Sequence, residues 1–147
     1  MTSATPISFY NSKIEYSTDG VSWNDMSGYS NSLAVSGGDR AIGSFFDYSD
    51  DVPKLTAGKR ASLDVALKIA FTRAAADVGD AFETAYEAGS AMYVRWTPGL
   101  FASGQKQFAS GAGLIKSFSY PFGDADKGDP VVMSTTVTVP SITKGTS

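Results

Sequence analysis

Three stretches of the chain alternate large apolar side chains with small ones at a period of two. From Arg60 to Phe71, Leu63, Val65, Leu67, Ile69 and Phe71 point one way, while Ser62, Asp64, Ala66, Lys68 and Ala70 point the other. Tyr29 to Ser36 sets Leu33 and Val35 against Ser30, Ser32, Ala34 and Ser36, and Val131 to Val139 sets Met133, Val137 and Val139 against Ser134, Thr136 and Thr138. This alternation predicts half-buried strands. A solvated sheet face usually carries long Lys, Glu, Arg or Thr side chains, so a face of Ser, Ala and Thr implies that something lies close against it or passes over it. A helix or second sheet packed tightly on that face is the competing reading, and the strands alone do not choose between the two.

Between these strands the punctuation is clear. Ile14 to Ser17, Thr18-Asp19-Gly20 and Val21 to Met26 read as a hairpin, because Asp-Gly supplies the positive φ angles of a tight turn. Gly37-Gly38-Asp39 breaks the Tyr29 strand. The following stretch, Gly43 to Gly58, is read as a long irregular loop carrying Phe45, Phe46 and Tyr48, and loose aromatics of this kind call for a covering surface. A satellite cluster folded on its own core is the alternative for it. Asp77 or Asp80 caps a short helix through Phe82, Ala85 and Tyr86 that ends at Gly89. Ala91 to Thr97 and Leu114 to Tyr120 are further strands, Leu100 to Gly113 a Gly-rich stretch with room for a hairpin, and Pro121 to Pro130 an acidic loop. Met1 to Asn11 is a Ser/Thr-rich arm whose Ile7, Phe9 and Tyr10 are anchors for a neighbour.

Composition adds exclusions. The 147 residues suit a single domain with one core, 42% of them hydrophobic and 18% charged. A net charge of −3 argues against tight binding of nucleic acid, and equally suits a surface along which DNA must move without sticking. There is no cysteine and no histidine, hence no disulfide, no thiolate or imidazole chemistry and no Ser/His/Asp triad. Asp124, Asp126 and Asp129 fail the calcium-loop pattern, since Gly128, Asp129 and Thr135 occupy its remaining positions. Gly111-Ala112-Gly113 fails the dinucleotide fingerprint at Lys116 and leads into a strand. No catalytic, cofactor or metal site emerges, and no stretch has the length or apolarity of a signal peptide or membrane span. Trp23 and Trp96, with nearby tyrosines, keep open a monomeric carbohydrate-binding or adhesion β-sandwich.

The order of elements, together with several short runs, resembles the tail tube protein, or major tail protein, of long non-contractile bacteriophage tails. The runs are Tyr16-Ser17-Thr18-Asp19-Gly20 with Trp23, Val35-Ser36-Gly37-Gly38-Asp39-Arg40, Thr56-Ala57-Gly58-Lys59-Arg60, Tyr86-Glu87-Ala88-Gly89-Ser90, Tyr93-Val94-Arg95-Trp96 and Gly128-Asp129-Pro130-Val131. The resemblance spans about Ile14 to Thr143. It implies a mainly β fold: a β-sandwich with one short flanking helix, its sheets joining in a hexameric ring into a large inner β-barrel. It further implies stacked rings forming a tube through which DNA is ejected, in a virion tail assembled from protein made in the host cytoplasm. Implied partners are the protein itself, a tape-measure protein, and tail terminator and distal tail proteins. The immunoglobulin-like C-terminal module of many relatives is not expected here.

Under that resemblance, Ser30, Ser32, Ala34, Ser36, Ser62, Asp64, Ala66, Ala70, Ser134 and Thr136 are the expected bore-lining residues, with few cations to hold a phosphate backbone. Lys68 is the exception among them. Ile7, Phe9, Tyr10, Phe45, Phe46 and Tyr48 are the expected contacts between subunits. The tube subunit of a secretion or gene-transfer particle shares this architecture and is the nearest alternative.

Overall fold

The computed structural model describes residues 3–74, 76–99, 102–121, 126 and 128–147. Its strands are β1 (Lys13–Ser17), β2 (Asn24–Asp25), β3 (Ser30–Gly37), β4 (Arg40–Phe45), β5 (Lys54–Arg60), β6 (Leu63–Ala70), β7 (Ala91–Thr97), β8 (Lys106–Ser110), β9 (Gly113–Phe118), β10 (Val132–Val139) and β11 (Ile142–Thr146). The helix α1 spans Val78–Ala88. Every pairing is antiparallel. One sheet runs β2-β1-β7-β8-β11 and the other β3-β6-β10-β9, and they join where Ala91 and Met92 of β7 pair with Leu114 and Gly113 of β9.

The two sheets and α1 enclose one core. Val65, Leu67 and Ile69 of β6 and Met133, Val137 and Val139 of β10 meet Ile14, Met92, Val94 and Trp96 of the other sheet, with Phe82 and Ala85 of α1 filling the space between. The helix begins where expected: the Asp77 carboxylate accepts from the Asp80 amide at 3.0 Å. It ends at Gly89, whose φ of 67° is the left-handed conformation of a helix C-terminus. Phe82 and Ala85 are buried as the stripe predicts, whereas Tyr86 is partly exposed and stacks on Phe118.

The structure revises four local expectations. The segment from Gly43 to Gly58 is not an irregular loop: β4 and β5 pair as a two-stranded sheet of their own. These strands continue β3 and β6, so the chain from Ser30 to Ala70 is one long hairpin bent at its middle. The bend holds because the Gly38 amide donates to the Ser62 carbonyl at 3.1 Å and the Ala61 amide to the Asp39 carbonyl at 2.8 Å. Gly37 and Gly38 sit at φ of 82° and 78°, and a β-carbon on Gly37 would lie 2.9 Å from the Ser62 carbonyl oxygen. Glycine is required there.

Second, the first hairpin is open, not tight. Residues 18–23 connect β1 to β2, and the Asp19 carboxylate accepts from the Val21 and Ser22 amides at 2.8 and 2.9 Å. Third, the stretch from Leu100 to Gly113 holds among its described residues the single strand β8 in place of a hairpin, and the chain then crosses between sheets at Gly111 and Ala112. Fourth, Ile142–Thr146 is an edge strand on β8, beyond the last strand that the alternation predicts. Leu100, Phe101 and half of the Pro121 to Pro130 loop, including Asp124, lie outside the described residues, as do Met1 and Thr2 of the arm.

Candidate functional site

The face of β3-β6-β10 turned away from the core is the surface that the alternation singled out. Its rows follow from the register: Ser32, Lys68 and Ser134 lie side by side, then Ala34, Ala66 and Thr136, then Ser36, Asp64 and Thr138. None of these is buried, and neither α1 nor the second sheet covers them. The competing reading, that small residues admit a close neighbour from the same chain, is thus overturned for this subunit. Ala70 extends the face opposite Val132. Two candidates leave it: a register shift after Ser30 sets that residue opposite buried Ile69, and Ser62 lies before β6, at the hairpin bend.

The electrostatics of this face differ from the expected shortage of cations. The Asp64 carboxylate accepts from the Thr138 hydroxyl at 2.7 Å and faces the Lys116 ammonium at 3.5 Å. The Thr138 hydrogen bond, with help from the Lys116 charge, holds Asp64 below the usual carboxylate range. Lys68 is exposed on the same face. One carboxylate and two ammonium groups make the described face mildly cationic, although the whole chain carries −3. Sequence periodicity found Asp64 and Lys68 but missed Lys116, whose approach depends on the β9–β10 register.

The six candidate contact residues are all solvent-exposed, in two places. Phe45 and Phe46 are 64% and 63% exposed and Tyr48 is fully so, all on the projecting β4–β5 hairpin. Ile7, Phe9 and Tyr10 belong to the arm, which its own chain already holds at the base: the Ser12 hydroxyl accepts from the Gly99 amide at 2.9 Å and donates to the Phe9 carbonyl. Ile7 lies over Gly99 and, with Pro98, Lys106 and Phe108, lines an open cleft of about 450 Å³.

The aromatic alternative fares differently. Trp96 is only 7% exposed and stacks on Phe108 in the core. Trp23 is engaged by Arg95, whose guanidinium carbon lies 4.3 Å from the ring centre. Adjacent residues of a strand face opposite ways, so Arg95 and Trp96 set the two tryptophans on opposite sides of the sheet. They form no common sugar-binding platform.

No protein-family model matches the chain, and no curated protein matches it in sequence. Solved structures do match. A chain of the PVC sheath/tube terminator of an extracellular contractile injection system superposes with a TM-score of 0.70 at 13% identity, covering 98% of this chain and 99% of that one. The fold is that of tail tube proteins. The tail of an empty GTA particle, refined helically with C6 symmetry, gives a TM-score of 0.66 at 11% identity, covering 93% of this chain and 96% of that one. The SPP1 tail tube gives 0.65 at 15% identity over 97% of this chain and 80% of that one. These neighbours are structural tail components, not enzymes. Because a contractile system is among them, the likeness supports the tail tube fold without restriction to non-contractile tails.

Proposed function

We propose that the protein is a tube subunit whose copies join edge to edge into hexameric rings, with the β3-β6-β10-β9 face turned inward, and that the rings stack into the hollow tail of a phage or related particle. The observation that carries this is an uncovered sheet face of small side chains on a fold whose solved neighbours are tail tubes. The sheet also offers edges: among the described residues β3 pairs only with β6, and β9 pairs beyond β10 only through Gly113 and Leu114. Joining such edges removes them, as barrel closure does.

Strand spacing sets the scale of the ring. Six copies of a four-stranded sheet give about 24 strands at about 4.8 Å, a backbone circle about 37 Å across with upright strands and about 48 Å across at a tilt of 40°. Short side chains on the inner face keep that passage open. DNA leaving a capsid is the cargo of this reading, and the paired Asp64 and Lys116 limit the charge that would retain its phosphates. Tape-measure, terminator and distal tail proteins are its partners inside the tube and at its ends. The likeness to a contractile injection system favours, as second reading, a tube that delivers another cargo; the content of purified particles separates the two. Electron microscopy of the purified protein tests the tube itself. Rings or hollow tubes are expected, and monomers alone at every concentration and salt would refute it.

A further inference from the structure

Lys68 is the one charge on the open face that has no counterpart among the described residues. Asp64 is held by the Thr138 hydroxyl and the Lys116 ammonium, whereas no hydrogen bond or ion pair engages Lys68. Four residues of strand, about 13 Å, separate Lys68 from Asp64, more than the screening length of about 8 Å in physiological salt, so the carboxylate does not offset it. Ser32 and Ser134 pair directly with Lys68 from the two neighbouring strands, and neither is buried. The row therefore offers an anionic oxygen one charged donor between two hydroxyls.

The position of β6 decides how this row repeats. It is flanked on both sides by strands of its own chain, β3 and β10. Joining copies at the β3 and β9 edges leaves Lys68 within each subunit's sheet, away from the seams, and sets six of them around the bore. Along the backbone circle they stand about 19–25 Å apart, the width of four strands upright or tilted by about 40°. A ring of identical, evenly spaced cations suits a ligand whose negative charge is the same on every side and at every level. Duplex DNA has that property, with one charge per about 1.7 Å of axis wound around the helix, so a phosphate comes opposite each lysine at any rotation. An acidic polypeptide carries charge only where its sequence places it.

We infer that Lys68, flanked by Ser32 and Ser134, forms in each ring a girdle of weak phosphate contacts that holds double-stranded DNA lightly in the bore. This rests on the tube reading and adds to it the residue that grips the cargo and the chemical class of that cargo. The Asp64 level is neutralised by Lys116 and adds no hold, so each ring grips the duplex at one level. Contacts of this kind are open to water and salt, and they retard passage without stopping it.

Tubes assembled with a short labelled DNA duplex and then treated with nuclease test it, because only enclosed DNA is shielded. Wild-type and Lys68→Arg tubes are expected to shield the duplex at low salt. A duplex resting against one side of the bore meets about three of the six lysines, which predicts a hold about 40-fold weaker on going from about 50 to about 200 mM salt. Lys68→Gln tubes are expected to shield little DNA and to lack that salt dependence. Lys68 is exposed, so both variants should melt like the wild type. Equal shielding by Lys68→Gln tubes, or none by the wild type, overturns the inference. So does a Lys68→Gln protein that melts normally and forms no tubes, since that places the residue at a contact between copies. Wild-type tubes that retain labelled polyglutamate but not the duplex would assign the ring to an acidic polypeptide and also overturn it. Wild-type protein that forms no tubes refutes the tube reading itself, a result distinct from tubes that ignore DNA.

Discussion

Arg95 and Glu15 are joined by two parallel hydrogen bonds across β7 and β1, Nε to Oε1 at 3.0 Å and Nη2 to Oε2 at 2.9 Å. Glu15 is 5% exposed, so this fork, with the Lys13 ammonium 4.0 Å from Oε1, satisfies an otherwise buried carboxylate, and the face of Trp23 completes the surroundings of the Arg95 cation. Arg95→Ala is expected to destabilise the fold by about 2 kcal/mol, less than the 3–5 kcal/mol of a fully buried pair because the Arg95 side chain keeps some contact with water. Arg95→Lys retains charge but not the fork and should fall between the two. Thermal melts of the three proteins decide it; equal melting temperatures would show that the pair contributes nothing.

The bend at Gly37 aims the hairpin. Gly37→Ala combines a positive φ with a contact of 2.9 Å on the Ser62 carbonyl, and is expected to cost about 1–2 kcal/mol while moving the hairpin relative to the sheet. Assembly should therefore suffer more than folding. Sedimentation of tubes compared with the monomer melt measures the two separately, and unimpaired tubes from a destabilised monomer would contradict the bend's role.

Phe45 and Phe46 have little to lose from truncation in the isolated subunit. Replacing both with Ser should leave the monomer melt within about 0.5 kcal/mol of wild type. Tube formation should disappear. Tubes of normal length from this variant would remove the hairpin from the assembly contacts.

Asp64 links the open face to pH. A carboxylate held below its ordinary value contributes stability above its unfolded pKa, about 3.9, and loses it as pH falls through the folded value. The contribution is thus complete at neutral pH and disappears only in strong acid. Protonation there also frees Lys116 and leaves the face more cationic. Thr138→Val removes the principal hydrogen bond and should move the Asp64 titration upward, observable by carboxyl carbon NMR. An unmoved titration would mean that Lys116 alone sets it.

Much of this architecture was legible in the sequence because period-two patterning records which face of a strand is buried. Leu63 to Ala70 and Val132 to Val139 carry that record, and α1 was marked at both ends by Asp77 and Gly89. The β4–β5 hairpin was not legible, since both its faces meet solvent and burial imposes no alternation on Arg40–Phe45 or Lys54–Arg60. Strand β11 escaped for a similar reason, being a short edge with four exposed residues after a half-buried Ile142. The Glu15–Arg95 fork and the Lys116–Asp64 pair depend on register between strands distant in sequence, which a local pattern does not contain. The tube-lining role of the open face adds a further level, because it depends on copies of the chain that no intrachain contact specifies.

The absence of native cysteine permits a direct test of where that face lies. Ala66→Cys places a thiol at the centre of the open face, and Thr84→Cys places one on the exposed side of α1. Both should react fully with a bulky polymer-linked maleimide in the monomer. In assembled tubes, the account predicts that the thiol at position 66 is protected from that reagent, while the one at position 84 still reacts. Equal labelling of position 66 before and after assembly would contradict it, and the sheet face would then lie on the outside of the tube.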